Sequence, residues 1–176
     1  MTQEELTALE QAARTDPEAQ YRLGMLYVYG EAVPEDYGRA IALLTSAADQ
    51  GHVEAAYNLA ICYHYGFGTP IDLEKAFALY LFSAQKGYAK GKHLIGRFYY
   101  HGWYVPQDEA EAIRWFEASA QLNDPTSCGL DFCYLGACYA RGRGVRADPV
   151  RAEELFRRAI ADGGDIARKR IEQLMQ

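Results

Sequence analysis

A helix–turn–helix signature is written about four times along this chain, and any fold must satisfy all four copies at once. Leu23, Leu59, Ile95 and Leu135 are each followed by a small residue: Gly24, Ala60, Gly96 and Gly136. Three positions later come Tyr27, Tyr63, Tyr99 and Tyr139, and then Gly30, Gly66, Gly102 and Gly142. The turn continues with Val33, Thr69, Val105 and Val145, followed by Asp36, Asp72, Asp108 and Asp148. Ala40, Ala76, Ala112 and Ala152 open a second helical pattern, and the copies are spaced by 36, 36 and 40 residues.

Each position has a mechanical reason. The Leu, the small residue and the Tyr fall at i, i+1 and i+4, on one side of a helix. The small residue removes bulk so that a facing helix can approach. The glycine after each Tyr sits where a helix C-terminus takes a positive φ. Each Asp sits where an N-cap oxygen can accept from the free N–H groups of the second helix. Asp108 with Glu111 spells a capping box, and Asp148-Pro149 puts proline at the first helical position. One such hairpin cannot bury its apolar stripe alone, so neighbours must stack.

This pattern resembles the Sel-one-like repeat (SLR) family, relatives of the tetratricopeptide repeats. Repeat two carries the family signature as Ala55, Leu59, Tyr63, Gly66, Gly68, Asp72, Ala76, Tyr80, Ala84 and Gly87. The resemblance covers about residues 16–163 and implies an all-α, right-handed α/α superhelical solenoid of about four repeats. The expected divisions are a capping helix in 1–15, repeats in 16–51, 52–87, 88–123 and 124–163, and a closing helix in 164–176, all within one domain. Two turns, at Gly30-Glu31-Ala32 and Gly102-Trp103-Tyr104, lack the second glycine, and Asn123 replaces the closing one. Those turns are expected to be looser. Four extra residues enter around 123–128, close to one helical turn of 3.6. They are expected either to start the next helix early, near Pro125, or to form a bulged loop. In the closing helix Ile166, Ile171 and Leu174 are expected to face inward, with Arg168, Lys169 and Arg170 outside.

Composition narrows the function classes. Hydrophobic residues make up 49% and aromatic residues 13%, which excludes a disordered chain. Net charge is −6. Residues 1–88 carry 5 Lys and Arg against 12 Asp and Glu, a net −7, and residues 89–176 carry 13 against 12, a net +1. That balance lacks the basic stripe of a nucleic-acid binder. The acidic N-terminal stretch is not a signal peptide, and no stretch approaches the ~18–20 apolar residues of a membrane span. A cytoplasmic protein, monomeric or weakly self-associating, is the expectation. The four cysteines follow no pairing within a repeat, and Cys128, Cys133 and Cys138 step by five, which scatters them around a helix. Reduced thiols are expected.

The resemblance also implies where a partner would bind, because in tetratricopeptide-like superhelices the first helix of each pair lines the concave face. Transferring those positions gives Tyr21, Tyr57 and His93; Met25, Ile61 and Arg97; His64 and Tyr100; and Tyr29, Tyr65, His101 and Arg141. These vary between copies where the packing positions do not, as a bespoke surface would. Tyr and Arg are over-represented at binding hot spots, and the set would suit a peptide with apolar anchors and an acidic group. The plainer alternative is that Tyr21 and Tyr57 only pack between repeats. No phosphate loop, nucleophile elbow or His-Glu-x-x-His spacing is present, so no catalytic residue, metal or cofactor is expected. Three functional readings stand at this point. The first is an interaction scaffold or adaptor for a protein or peptide of unknown identity. The second is an inhibitory or immunity-type partner of one protein. The third is a metal-dependent enzyme using the groove histidines.

Overall fold

A computed structural model describes residues 1–124 and 127–176, with the backbone but not the side chain of Cys128. Among the described residues the chain forms nine helices and no strand. They fall into two compact units, Met1–Lys86 and Gly87–Gln176.

The first unit contains α1 (Gln3–Ala12), α2 (Pro17–Tyr29), α3 (Tyr37–Asp49), α4 (Val53–Tyr65) and α5 (Leu73–Gln85). Helices α2 and α3 form one antiparallel hairpin and α4 and α5 the next, with α3 packed on α4 and α1 on α2. Leu6, Leu9 and Ala13 cover Leu23 and Tyr27, while Leu44 and Ala47 meet Ala55, Leu59 and Cys62. The second unit contains α6 (Ala89–His101), α7 (Glu109–Ala120), α8 (Cys128–Arg141) and α9 (Pro149–Met175). Its core joins Ile113 and Phe116 of α7, Phe132 to Cys138 of α8, and Leu155, Ala159, Ala167 and Leu174 of α9.

The signature residues do what their chemistry requires. Asp36, Asp72, Asp108 and Asp148 each cap a helix, accepting from the backbone N–H three residues on at 2.9–3.0 Å. The amides of the same four residues donate to the carbonyls of Tyr27, Tyr63, Tyr99 and Tyr139 at 2.9–3.0 Å. Each turn is therefore clamped on both sides of one Asp. This explains why the turns without a second glycine are not looser. Ala32 and Tyr104 hold φ of 65° and 63°, beside 66° and 67° at Gly68 and Gly144. The clamp imposes the left-handed geometry, at a cost of about 1–2 kcal/mol for a residue with a Cβ.

The small residues also matter as expected, because helices meet there. A Cβ on Gly24 would lie 3.2 Å from Leu44, one on Gly96 2.7 Å from the Phe116 ring, and one on Gly136 2.5 Å from the Phe156 ring.

Two local expectations need correction, and a third lies outside the described residues. The capping box at Asp108 is half formed, since the Glu111 carboxylate accepts from Arg114 at 2.9 Å; the full box is at Thr2 and Glu5. Helix α8 has 14 residues against 13 in α2, α4 and α6, and the early start expected near Pro125 lies outside the described residues. Helix α9 breaks at Gly164 (φ 53°, ψ −132°), where Gly163 meets the backbone of Gly129. Beyond the break Ala167 is buried and Ile166, expected to face inward, is turned out and 71% exposed.

Candidate partner-binding surface

In the first unit, Tyr21, Met25 and Tyr29 line one side of α2 at successive turns of the helix. With Met1, Leu9, Arg22 and Leu26 they bound an open cavity of about 330 Å³. Tyr29 is 65% exposed. Tyr21 is half-buried, its ring centroid 4.7 Å from that of His52. Burial and the neighbouring Glu54 push its phenol above the ordinary tyrosine range. Tyr57 packs 5.6 Å from Tyr80, and Ile61, four residues on along α4, is half-buried. Tyr21 and Tyr57 therefore do pack between helices, and each also keeps an accessible edge. His64 stacks on Tyr65 at 4.4 Å, and Tyr65 leads through Phe67 (5.9 Å) to Tyr37 (5.8 Å), an aromatic run ending on the turns. A larger recess of about 590 Å³ lies between α1 and α2, but Glu5, Asp16, Glu18 and Arg22 make it charged, and it holds none of the expected ladder residues.

The second unit departs from expectation. His93 and Tyr100, expected to face a partner, are buried at 4% and 5% exposure. His93 Nδ1 lies 2.7 Å from Asp131 Oδ1, and Asp131 is fully buried. The histidine is turned inward because a buried carboxylate needs a partner. Burial raises the Asp131 carboxyl above the ordinary range, against the lowering effect of His93. Among the described residues, Asp131 Oδ2 and Tyr134 Oη have no hydrogen-bond partner. Tyr100 packs its ring 5.0 Å from Tyr134, in the same core as Phe116.

Arg97, His101 and Arg141 do reach the surface. Trp103, in the turn after α6, is half-buried. It sits edge-on to Phe98 at 5.7 Å and stacked on His101 at 4.6 Å, with the Arg97 guanidinium 5.1 Å above the ring. Tyr104, its neighbour, is 53% exposed. Arg170, expected on the outer side of the closing helix, is half-buried, its guanidinium 6.0 Å from the Tyr134 ring. Its position was legible: it follows Ala167 by three residues and precedes Leu174 by four, on the covered face of α9. Burial, with the charges of Arg97 and Arg170, lowers His101 from 6.5 to about 4.

Cys62, Cys133 and Cys138 are free and buried, and burial pushes the last two thiols up to about 12. Such thiols are poor nucleophiles. Among the described residues no three His, Cys, Asp or Glu side chains converge as metal ligands. No described helix is long and apolar enough to cross a membrane.

A family model, the Sel1 repeat, matches residues 17–52, 53–88, 89–124 and 133–164. A protective antigen of uropathogenic Escherichia coli strains displaying an SLR fold superposes with a TM-score of 0.84 at 31% identity, over 92% of this chain and 34% of that one. A Sel1 repeat protein from Oxalobacter formigenes gives 0.80 at 29% identity, over 90% of this chain and 64% of that one. Cysteine rich protein B of Helicobacter pylori gives 0.56 at 21% identity, over 70% and 94% of the two chains, a likeness of fold alone. The chain thus spans 34% and 64% of the lengths of the first two relatives. No curated protein matches the sequence.

Proposed function

Because the chain belongs to the Sel1 repeat family, whose members generally act as protein-interaction scaffolds, we propose that it is a scaffold whose first unit takes an apolar anchor of a protein or peptide partner between Tyr21, Met25 and Tyr29. One observation carries this reading. The 330 Å³ cavity coincides with three ladder positions and adds Leu9, Leu26 and Arg22 around them. Aromatic side chains with few rotatable bonds supply contact area at low entropic cost, which favours them as anchors. Exposed Tyr29 on this cavity is the side chain best placed to contribute.

Burial also weighs against an enzyme built on the groove histidines. His93 and Asp131 are closed off from solvent. A cytoplasmic setting is part of the same proposal. Its support is that the described thiols are free and buried, as a reducing compartment maintains.

The test is selection from a display library of random dodecapeptides on the folded protein. The expected winners carry an aliphatic or aromatic anchor and bind a Tyr29→Ala, Met25→Gln variant at least about tenfold more weakly, a loss of about 1.4 kcal/mol. Equal binding to wild type and to a variant of unchanged melting temperature would move the site away from this cavity.

A further inference from the structure

The arginines of the second unit fall into two groups. Arg114, Arg143, Arg151, Arg157, Arg158 and Arg168 each have a carboxylate within 4.0 Å. Arg97, Arg141, Arg146 and Arg170 have none among the described residues, although the chain carries a net charge of −6, and of these Arg141 and Arg146 are exposed on or beside a turn. Carboxylates are plentiful, yet none is brought to these four.

Two of the four converge on one aromatic cluster. Arg97 lies over Trp103, Trp103 stacks on His101, His101 meets Tyr134 edge-on at 6.0 Å, and Arg170 lies over Tyr134. Rings hold guanidinium groups by cation–π attraction without neutralising them. Arg97 Nε is buried with no hydrogen-bond partner among the described residues, so the rings do not exhaust its donors. Burial first, and then the charges of Arg97 and Arg170, disfavour the charged form of His101. The imidazole therefore adds no charge near pH 7, and the cationic character belongs to the guanidiniums. Arg141, also without a carboxylate, is close enough to act electrostatically on Tyr100, which packs on both His101 and Tyr134.

We propose that Arg97, Arg170 and the Trp103–His101 stack form a carboxylate-binding subsite that takes an acidic segment of the protein partner. This rests on the scaffold reading, since it names the chemistry of part of that partner. Guanidinium groups present planar pairs of donors that match a carboxylate, and a partly dry, ring-lined setting strengthens such bonds relative to water. The matching partner segment carries two or more Asp or Glu side chains. The subsite lies wholly within the second unit, so it is testable independently of the apolar cavity in the first.

The experiment is an NMR titration of the whole chain with acetyl-hexaglutamate amide at constant ionic strength. Arginine Nε–Hε and tryptophan indole signals are followed. Saturable shifts are expected at Arg97, Arg170 and Trp103, with none when hexaglutamine is the probe. Arg97→Gln with Arg170→Gln should weaken binding at least tenfold, while Arg146→Gln, a solvated turn arginine, should leave it unchanged. Because Arg97 packs on Trp103, an Arg97→Lys variant serves as a second probe. It retains the charge and much of the stem but loses the planar fork, and should weaken binding severalfold. Three results would overturn the proposal: shifts as large at Arg146 as at Arg97, a folded double variant that binds like wild type, or tighter binding of inorganic phosphate than of the peptide. None of these touches the peptide selection on the first unit, so the two readings fail separately.

Discussion

Replacing His93 with leucine is expected to destabilise the protein by roughly 3–5 kcal/mol at neutral pH, the range for removing one partner of a buried pair. His93 is 4% exposed and supplies the 2.7 Å contact to Asp131 Oδ1, whose other oxygen already lacks a partner. Without the imidazole the carboxyl keeps its burial and loses the hydrogen bond and charge of His93 that lower its pKa, leaving only the weaker effect of Ser119. The ring also packs 5.8 Å from Phe116 and 5.9 Å from Tyr134, so leucine must refill that space as well.

The sign of the pH dependence follows from linkage. With its folded pKa raised above the unfolded value, Asp131 binds its proton more tightly in the native state. Stability then falls as pH rises from the ordinary carboxylate value through the raised one. The deficit of the variant should therefore be smallest in acid and largest near neutrality. Urea unfolding of both proteins across that range measures it. A second variant, His93→Leu with Asp131→Leu, should recover much of the loss by removing the stranded carboxyl. A deficit below about 1 kcal/mol, or one that does not vary with pH, would show that the pair is not buried as described.

The second large effect lies where helices cross. Gly96→Ala is expected to cost about 1–3 kcal/mol through overpacking, and Gly96→Leu more. The added Cβ would meet Phe116 Cε1 at 2.7 Å. Phe116 is fully buried and stacked on Tyr134 with centroids 4.7 Å apart, so the ring has nowhere to swing. Gly24→Ala is expected to be near neutral. Its nearest neighbour is Leu44 Cγ at 3.2 Å, and alanine gains helix propensity of up to about 1 kcal/mol. Repeat two already carries Ala60 at this position. Combining Gly96→Ala with Phe116→Leu should return part of the loss, and a double-mutant cycle from thermal unfolding measures the coupling. A wild-type melting temperature for Gly96→Leu would sink the close-packing argument.

These two cases show what the sequence revealed and where it fell short. Repetition exposed the architecture because each copy solves the same packing problem. Leu23, Leu59, Ile95 and Leu135 are all buried, and all four turn aspartates cap helices. Departures from the repeat carried information that was harder to weigh. Asp131 occupies the position of Ala19, Ala55 and Gly91, four residues before the signature Leu or Ile, where the chain packs only small residues. A carboxylate there demands an internal partner, and His93 is drawn inward to provide it. Reading His93 by its place on the ladder missed that demand. Tyr100 followed it inward, into the rings around Tyr134. In the closing helix the covered face runs through Ala167, Arg170, Ile171 and Leu174, so weighing the small Ala167 as the inward residue in place of Ile166 would have placed Arg170 on that face as well. In the first unit, by contrast, the ladder residues keep exposed edges because the matching positions there, Ala19 and Ala55, hold no charge.

The central claim is that a protein partner sits against Tyr29. The most direct measurement places the photo-crosslinking residue p-benzoylphenylalanine at position 29 in living host cells, with position 153 on α9 as the control. Tyr29 is 65% exposed on the apolar cavity, and Glu153 is exposed on a charged stretch of helix. The account predicts one discrete protein adduct from position 29, absent from position 153 and lost when Met25→Gln is added. Adducts that are absent from position 29, or equally formed from both positions, would contradict it.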